Sequence, residues 1–304
     1  MAYAAGDRRE PVSISPATQA DAVAAMHGEA YAYAAYRAYA AQAADDNLET
    51  VAKLFRKTAS QERYDHFAGL ARFTDLVGSD VDNLTDAIAG ERYEATVMYP
   101  AFARQAQRDG CTAAAEVFTE LSGDEKHHAQ RFAAARDALT DPGADQQFPV
   151  GERIPAAPIP AGSPRCTGQT PANLDSAMHG EAFASLKYAL YAGHAQLAGH
   201  PRLARLFRAA RSQELNEHFA EEAALAGLVR STDENLRTAV AGEQQEATTT
   251  YPAYRDRAAQ HGDSDAAQLF NELAQDEAVH ASRFACLSGS VPGRHTHVHG
   301  QPQS

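Results

Sequence analysis

The stretch Ala89-Gly-Glu-Arg-Tyr-Glu-Ala-Thr-Val-Met-Tyr-Pro100 returns, 152 residues later, as Ala241-Gly-Glu-Gln-Gln-Glu-Ala-Thr-Thr-Thr-Tyr-Pro252. Each copy sets two glutamates three apart on a helical pattern. Glu91 and Glu94, like Glu243 and Glu246, therefore project from one face a turn apart. Leu84, Ile88, Ala95, Met98 and Phe102 share that stripe, which predicts a buried face. Two carboxylates on a buried stripe cost several kcal/mol unless something pairs them. Whatever this chain folds into must supply that partner.

The offset of 152 holds along the chain. Ala25-Met-His-Gly-Glu-Ala30 recurs as Ala177-Met-His-Gly-Glu-Ala182, and Glu62/Glu214, His66/His218, Glu125/Glu277 and His128/His280 keep the same separation. Four helices have been duplicated without net insertion. In the first copy, helix A is predicted over Asp21–Ala44, with the inward stripe Val23, Met26, Glu29, Tyr33, Tyr36, Ala40. Helix B runs from an Asp46 cap to Phe73, with Val51, Phe55, Thr58, Glu62 and His66 inward and Asp65 beside them. Helix C spans Asp82–Arg108, with a kink expected at Pro100. Helix D starts near Thr112 with Ala114, Phe118, Leu121, Glu125, His128 and Phe132 inward. The expected division is a disordered lead (1–18), repeat 1 (19–140), a linker rich in proline (141–171), repeat 2 (172–288) and a tail (289–304) carrying His295, His297 and His299.

With no Trp, few strand-type runs and long helical periodicity, the fold class is all-α. The formal charge of −13 argues against nucleic acid or an anionic membrane as partner. No stretch approaches the roughly 20 apolar residues of a membrane span. Cys111, Cys166 and Cys286 are far apart and form no Cys-x-x-Cys, which predicts neither a disulfide framework nor a cysteine-ligated iron. A soluble, cytoplasmic protein is expected.

Every helix of each repeat carries a carboxylate on its apolar stripe: Glu29, Glu62, Glu91 with Glu94, and Glu125, with His128 completing Glu-x-x-His. The second copy supplies Glu181, Glu214, Glu243, Glu246, Glu277 and His280. A lone Glu-x-x-His means little. Five glutamates and a histidine on core stripes, recurring together, point to metal. Oxygen-rich donors with a few imidazoles suit a pair of iron ions, and a manganese or mixed pair fits the same set. With Asp65 and Glu217, these glutamates are 12 of the 40 acids; four divalent ions would take −13 to −5. His127 has Val279 as its repeat partner and is expected to be a surface or packing residue. His27 and His179, two residues before Glu29 and Glu181, either orient a carboxylate or simply pack.

Gly28-Glu29, Thr58-Ala-Ser-Gln-Glu-Arg63, Ala89-Gly-Glu-Arg-Tyr-Glu94 with Met98-Tyr-Pro-Ala-Phe-Ala103, and Glu125-Lys-His-His128 resemble the rubrerythrin family of ferritin-like diiron proteins, over nearly all of both repeats. The resemblance implies two ferritin-like four-helix bundles and two dinuclear iron sites, four ions per chain, with the glutamates and histidines above as ligands. It also implies that Tyr36, Tyr99, Tyr188 and Tyr251 lie beside the metals. It implies reduction of hydrogen peroxide or dioxygen in oxidative-stress defence. A ferroxidase or iron buffer, and an oxygenase of an organic substrate, would use the same ligands. Two departures stand out. The family's helix B has Glu-x-x-His, whereas here Asp65 and Glu217 occupy that position and His66 and His218 follow. Positions three and four on lie about 60° and 40° either side of the glutamate, so either could reach a metal. No rubredoxin-type domain is recognisable, which implies an external electron donor such as a rubredoxin or a flavoprotein reductase. A homodimer is also compatible with this reading.

The link between helices B and C bears on assembly. His66 to Glu91 is 25 residues, as is His218 to Glu243, leaving about five outside the helices. Five extended residues reach at most roughly 18 Å, too short to return along a helix of about 30 Å. The expectation is a swap, in which Glu29 and Glu62 join Glu243, Glu246, Glu277 and His280, while Glu181 and Glu214 join Glu91, Glu94, Glu125 and His128.

Overall fold

The computed structural model describes residues 14–141 and 148–288. Residues 1–13 of the expected lead, Pro142 of the linker and the tail histidines lie outside the described residues. Eight helices and no strand occur among the described residues. They are α1 (Pro16–Asp45), α2 (49–73), α3 (80–108), α4 (Thr112–Thr140), α5 (Thr170–Leu197), α6 (201–226), α7 (232–261) and α8 (Ser264–Ser288). One π-helical turn interrupts each of α2, α3, α6 and α7, at Glu62–Phe67, Glu94–Met98, Glu214–His218 and Glu246–Thr250. No described helix is long and apolar enough to cross a membrane.

Helix α1 starts earlier than its apolar periodicity predicts. Ser15 caps it by accepting from the Thr18 N–H at 3.2 Å, and Pro16 fills the first turn, where a missing N–H costs nothing. Asp46 does not cap α2. It closes α1 by donating its N–H to the Gln42 carbonyl, and its carboxylate accepts from Thr232 Oγ1 at 2.8 Å. Capping boxes start α3 (Ser79 with Asp82) and α7 (Ser231 with Glu234), each stabilising by about 1 kcal/mol. The tight turn after α1 needs a left-handed residue, Asn47 (φ 61°), and Gly199 (φ 85°) fills the equivalent place after α5.

The two cores mix the repeats. Phe55 of α2 lies 4.9 Å, centroid to centroid, from Phe284 of α8, which also packs on Tyr36 of α1. Phe132 of α4 lies 5.2 Å from Phe207 of α6 and packs on Tyr188 of α5. All six rings are buried, and each buried aromatic stabilises by roughly 1.5–3 kcal/mol. One bundle is thus α1, α2, α7 and α8; the other is α3, α4, α5 and α6. Helices α1 and α5 join them, with His27 stacked on Phe183 and Tyr31 on His179.

Cys111, just before α4, and Cys166, in the stretch before α5, form a disulfide with Cα atoms 5.4 Å apart. This corrects the expectation that the cysteines form no disulfide. A separation of 55 along the chain hides proximity that the fold creates. Beside the bridge, Asp109 accepts from the backbone N–H groups of Gln169 and Thr170, fastening the start of α5 to the end of α3. Gly168 (φ 73°) sits so close to the Asp109 carboxylate that a Cβ would clash at 2.6 Å. Closing a loop of that length stabilises by constraining the unfolded chain. The variant C111A/C166A should therefore lose about 2–4 kcal/mol of unfolding free energy in denaturant titration while keeping its helical circular dichroism. An unchanged midpoint would contradict this.

Candidate metal centres

Each bundle encloses one cluster of buried carboxylates and imidazoles drawn from both repeats. In centre I, His66 Nδ1 lies 2.8 Å from Glu62 Oε2, 3.0 Å from Glu277 Oε1 and 3.3 Å from Glu29 Oε2. His280 Nδ1 lies 2.8 Å from Glu277 Oε2, 3.2 Å from Glu62 Oε1 and 3.3 Å from Glu243 Oε2. Glu62 and Glu277 thus give one oxygen to each half, whereas Glu29 and Glu243 serve one half each. Centre II repeats the plan. His218 Nδ1 contacts Glu125 Oε1 and Glu214 Oε2 at 2.9 Å and Glu181 Oε2 at 3.6 Å. His128 Nδ1 contacts Glu125 Oε2, Glu214 Oε1 and Glu91 Oε2 at 2.9, 3.2 and 3.4 Å. Within each of these four half-centres, the donor atoms fall within 4.8 Å of one another.

The π-helical turns decide between the acid and the histidine on α2 and α6. A π turn takes in one extra residue, so the residue four after the glutamate comes round to its face. His66 and His218 are buried in the clusters. Asp65 is exposed and Glu217 half-buried, and neither joins a cluster. The expectation of Asp65 and Glu217 as ligands is corrected on this geometry. On α3 and α7 the helical ladder is loosened by Pro100 and Pro252, which have no N–H to donate. Thr96 Oγ1 and Thr248 Oγ1 loosen it further by bonding the carbonyls of Arg92 and Gln244. Glu94 and Glu246 open these turns and stand outside the four compact groups. Glu246 lies against Gly28 and Glu94 against Gly180, where a Cβ would come within 3.4 and 3.8 Å of their Oε1 atoms.

All four candidate tyrosines are buried against carboxylates. Tyr36 donates to Glu243 Oε1 at 2.5 Å, Tyr251 to Glu29, Tyr188 to Glu91 and Tyr99 to Glu181. Each therefore holds one of the glutamates that serves a single half. Burial and the facing carboxylates push all four phenols well above their ordinary range, keeping them protonated donors. Asp276, Asp124 and Gln213 were not anticipated. Asp276 Oδ2 lies 3.3 Å from His66 Nε2, Asp124 Oδ2 3.6 Å from His218 Nε2, and Gln213 Oε1 2.9 Å from His128 Nε2. Such partners fix ring orientation. Asp124 and Asp276 recur at the repeat offset beside Glu125 and Glu277, a signal present in the sequence. His27 and His179 pack between α1 and α5 rather than orienting a carboxylate, and His127 is exposed.

Electrostatically the clusters are unfinished. Imidazole contacts fall within ion-pair distance, but one N–H cannot serve three oxygens. Buried oxygens of Glu62, Glu91, Glu125, Glu214, Glu243 and Glu277 are left without a directed hydrogen bond. Burial pushes Glu62 up to about 6, Glu91 to about 7, and Glu181 and Glu243 to about 8. Burial lowers the imidazoles, but the surrounding glutamates outweigh it, raising His280 to about 12 and His66, His128 and His218 well above the ordinary value. Oxygen donors bridging two positions, completed by one imidazole each, fit a pair of iron or manganese ions.

The family model described as Rubrerythrin matches residues 23–136 and 210–288. A rubrerythrin of Porphyromonas gingivalis is 35% identical over 136 residues, covering 40% of this chain and 68% of its own. The nigerythrin of Nitratidesulfovibrio vulgaris is 36% identical over 136 residues (40% and 67%), and a rubrerythrin of the same organism 33% over 130 residues (38% and 66%). No solved structure gives a significant match.

The raised carboxyls set a pH dependence. In the metal-free protein they bind protons at higher pH than the unfolded chain does. The stability they contribute is complete below 4.5 and is lost as pH rises through about 6 to 8. The raised histidines act in the same direction above their ordinary value of 6.5. The Tm of metal-free protein should fall between pH 5 and pH 8 in scanning calorimetry. Added iron should reverse the trend, because metal binding releases those protons. A metal-free Tm that is flat or rising over that window would contradict the assignment.

Proposed function

The chain belongs to the rubrerythrin family, and on that premise we propose that it reduces hydrogen peroxide, or dioxygen, at two carboxylate-bridged iron pairs. The observation that carries this reading is the set of buried carboxylate oxygens without a directed hydrogen bond, arranged so that Glu62 and Glu277, or Glu125 and Glu214, face two positions at once. Glu29, Glu243, His66 and His280 would complete the ligands of centre I; Glu181, Glu91, His218 and His128 those of centre II. A pair of irons bound there supplies the two electrons that breaking an O–O bond consumes.

The chain's own residues supply position and protons. Tyr36, Tyr99, Tyr188 and Tyr251 hold the single-half glutamates by hydrogen bonds, so their oxygens need no reorganisation on binding. Asp276 and Gln213 hold His66 and His128 from behind, and Asp124 faces His218 at 3.6 Å. Burial and the neighbouring glutamates push Glu94 and Glu246 well above the ordinary carboxylate range. The metal-free protein therefore holds a proton on each beside its centre, a proton that a departing oxygen would take up as water forms. Electrons would come from a donor of the rubredoxin or flavoprotein-reductase kind.

Steady-state peroxide consumption with a supplied reductant tests the proposal. The wild-type protein should turn over, and E94Q/E246Q should lower kcat by roughly 10²- to 10⁴-fold while retaining iron by metal analysis. Stoichiometric iron uptake without turnover would overturn it and mark an iron-buffering protein.

A further inference from the structure

The two centres follow one plan but differ in two places: Gln213 faces His128 Nε2 while His280 Nε2 has no hydrogen-bond partner among the described residues, and centre II carries one acid that centre I lacks. Glu222, on α6, is fully buried. Its Oε1 lies 3.1 Å from Tyr99 Oη, the same hydroxyl that donates to Glu181. Its Oε2 has no hydrogen-bond partner among the described residues. At the repeat-equivalent position of α2 stands Leu70, also fully buried and part of the apolar core. Tyr251, the counterpart of Tyr99, donates to Glu29, with Leu70 occupying the place of the extra acid. Centre II therefore has an additional carboxylate just outside its ligands, and centre I has a hydrocarbon there.

We propose that Glu222 is a positioning residue that makes centre II bind divalent metal more tightly than centre I. This rests on reading the clusters as metal centres. The effect runs through the phenol of Tyr99. One phenol proton is shared between Glu181 and Glu222, so less of it is spent on Glu181, whose oxygens keep more charge for a cation. Glu222 itself is not among the atoms grouped closely enough to hold an ion; it acts through Tyr99 and Glu181. Filling would then be sequential, with centre II loaded at metal levels that leave centre I empty. At limiting metal, a single chain would carry one loaded centre rather than two partly loaded ones.

The test is an anaerobic equilibrium titration of the full metal-free chain with ferrous iron against a competing chelator. Wild type should show two classes of site separated by about 10- to 100-fold in affinity, the usual range for losing a partner of a metal ligand. E222Q, which keeps shape and an acceptor, should bring the tighter class down to the weaker, and E222L, which restores the residue of centre I, should do the same. Circular dichroism confirms that each variant is folded, and E222Q alone decides the matter if E222L is not. A single class in the wild type, or two classes unmoved by E222Q, would overturn the inference while leaving the centres standing. No iron bound at all would instead remove the reading of the centres themselves.

Discussion

The links between α2 and α3 and between α6 and α7 are too short to run back along a helix, and the rest of the molecule follows from that. Residues 74–79 reach roughly 20 Å when extended, whereas residues 49–73 span roughly 37 Å as a helix. Helix α3 therefore cannot lie parallel beside α2 in one closed bundle. It continues away and meets α5 and α6, while α7 and α8 close over α1 and α2. Duplication in one chain turns an exchange that would otherwise need two chains into an internal one. The joined aromatic cores, Phe55 on Phe284 and Phe132 on Phe207, are its packing counterpart.

Once the helices are exchanged, the stripes of buried glutamates face one another. Their cost explains much of the local structure. Four tyrosines, buried where phenylalanine would pack equally well, each hold one carboxylate. Gly28 and Gly180 lie against Glu246 and Glu94. What remains unsatisfied is concentrated on the bridging glutamates, which is where a divalent cation would contribute most. Binding such ions would be folding free energy for this chain, because the ligands come from four helices and both repeats.

Much of this was legible in the sequence. Period 3.6 and the fixed offset marked the helices, and charge on the apolar stripe marked the glutamates. Simple reach along the chain foresaw the exchange of helix pairs. What was missed depended on finer or longer-range geometry. Asp65 and His66 are ambiguous on an ideal helix, and only the π turn starting at Glu62 separates them. Cys111 and Cys166 meet because α3 ends beside the start of α5, which spacing cannot reveal. Glu222 escaped because recurrence was the filter: a residue whose partner is Leu70 is discarded by the very test that finds the others.

The central claim, that each centre is built from both repeats, is most directly tested by counting iron in two double variants. Glu62 and Glu277 belong to different repeats but to one centre; Glu62 and Glu125 belong to one repeat but to different centres. After anaerobic loading, E62Q/E277Q should retain the iron of the intact centre II, and E62Q/E125Q should lose the bridging carboxylate of both centres and bind almost none. The reverse pattern, with E62Q/E125Q keeping half the iron and E62Q/E277Q losing it all, would mean that each repeat builds its own centre.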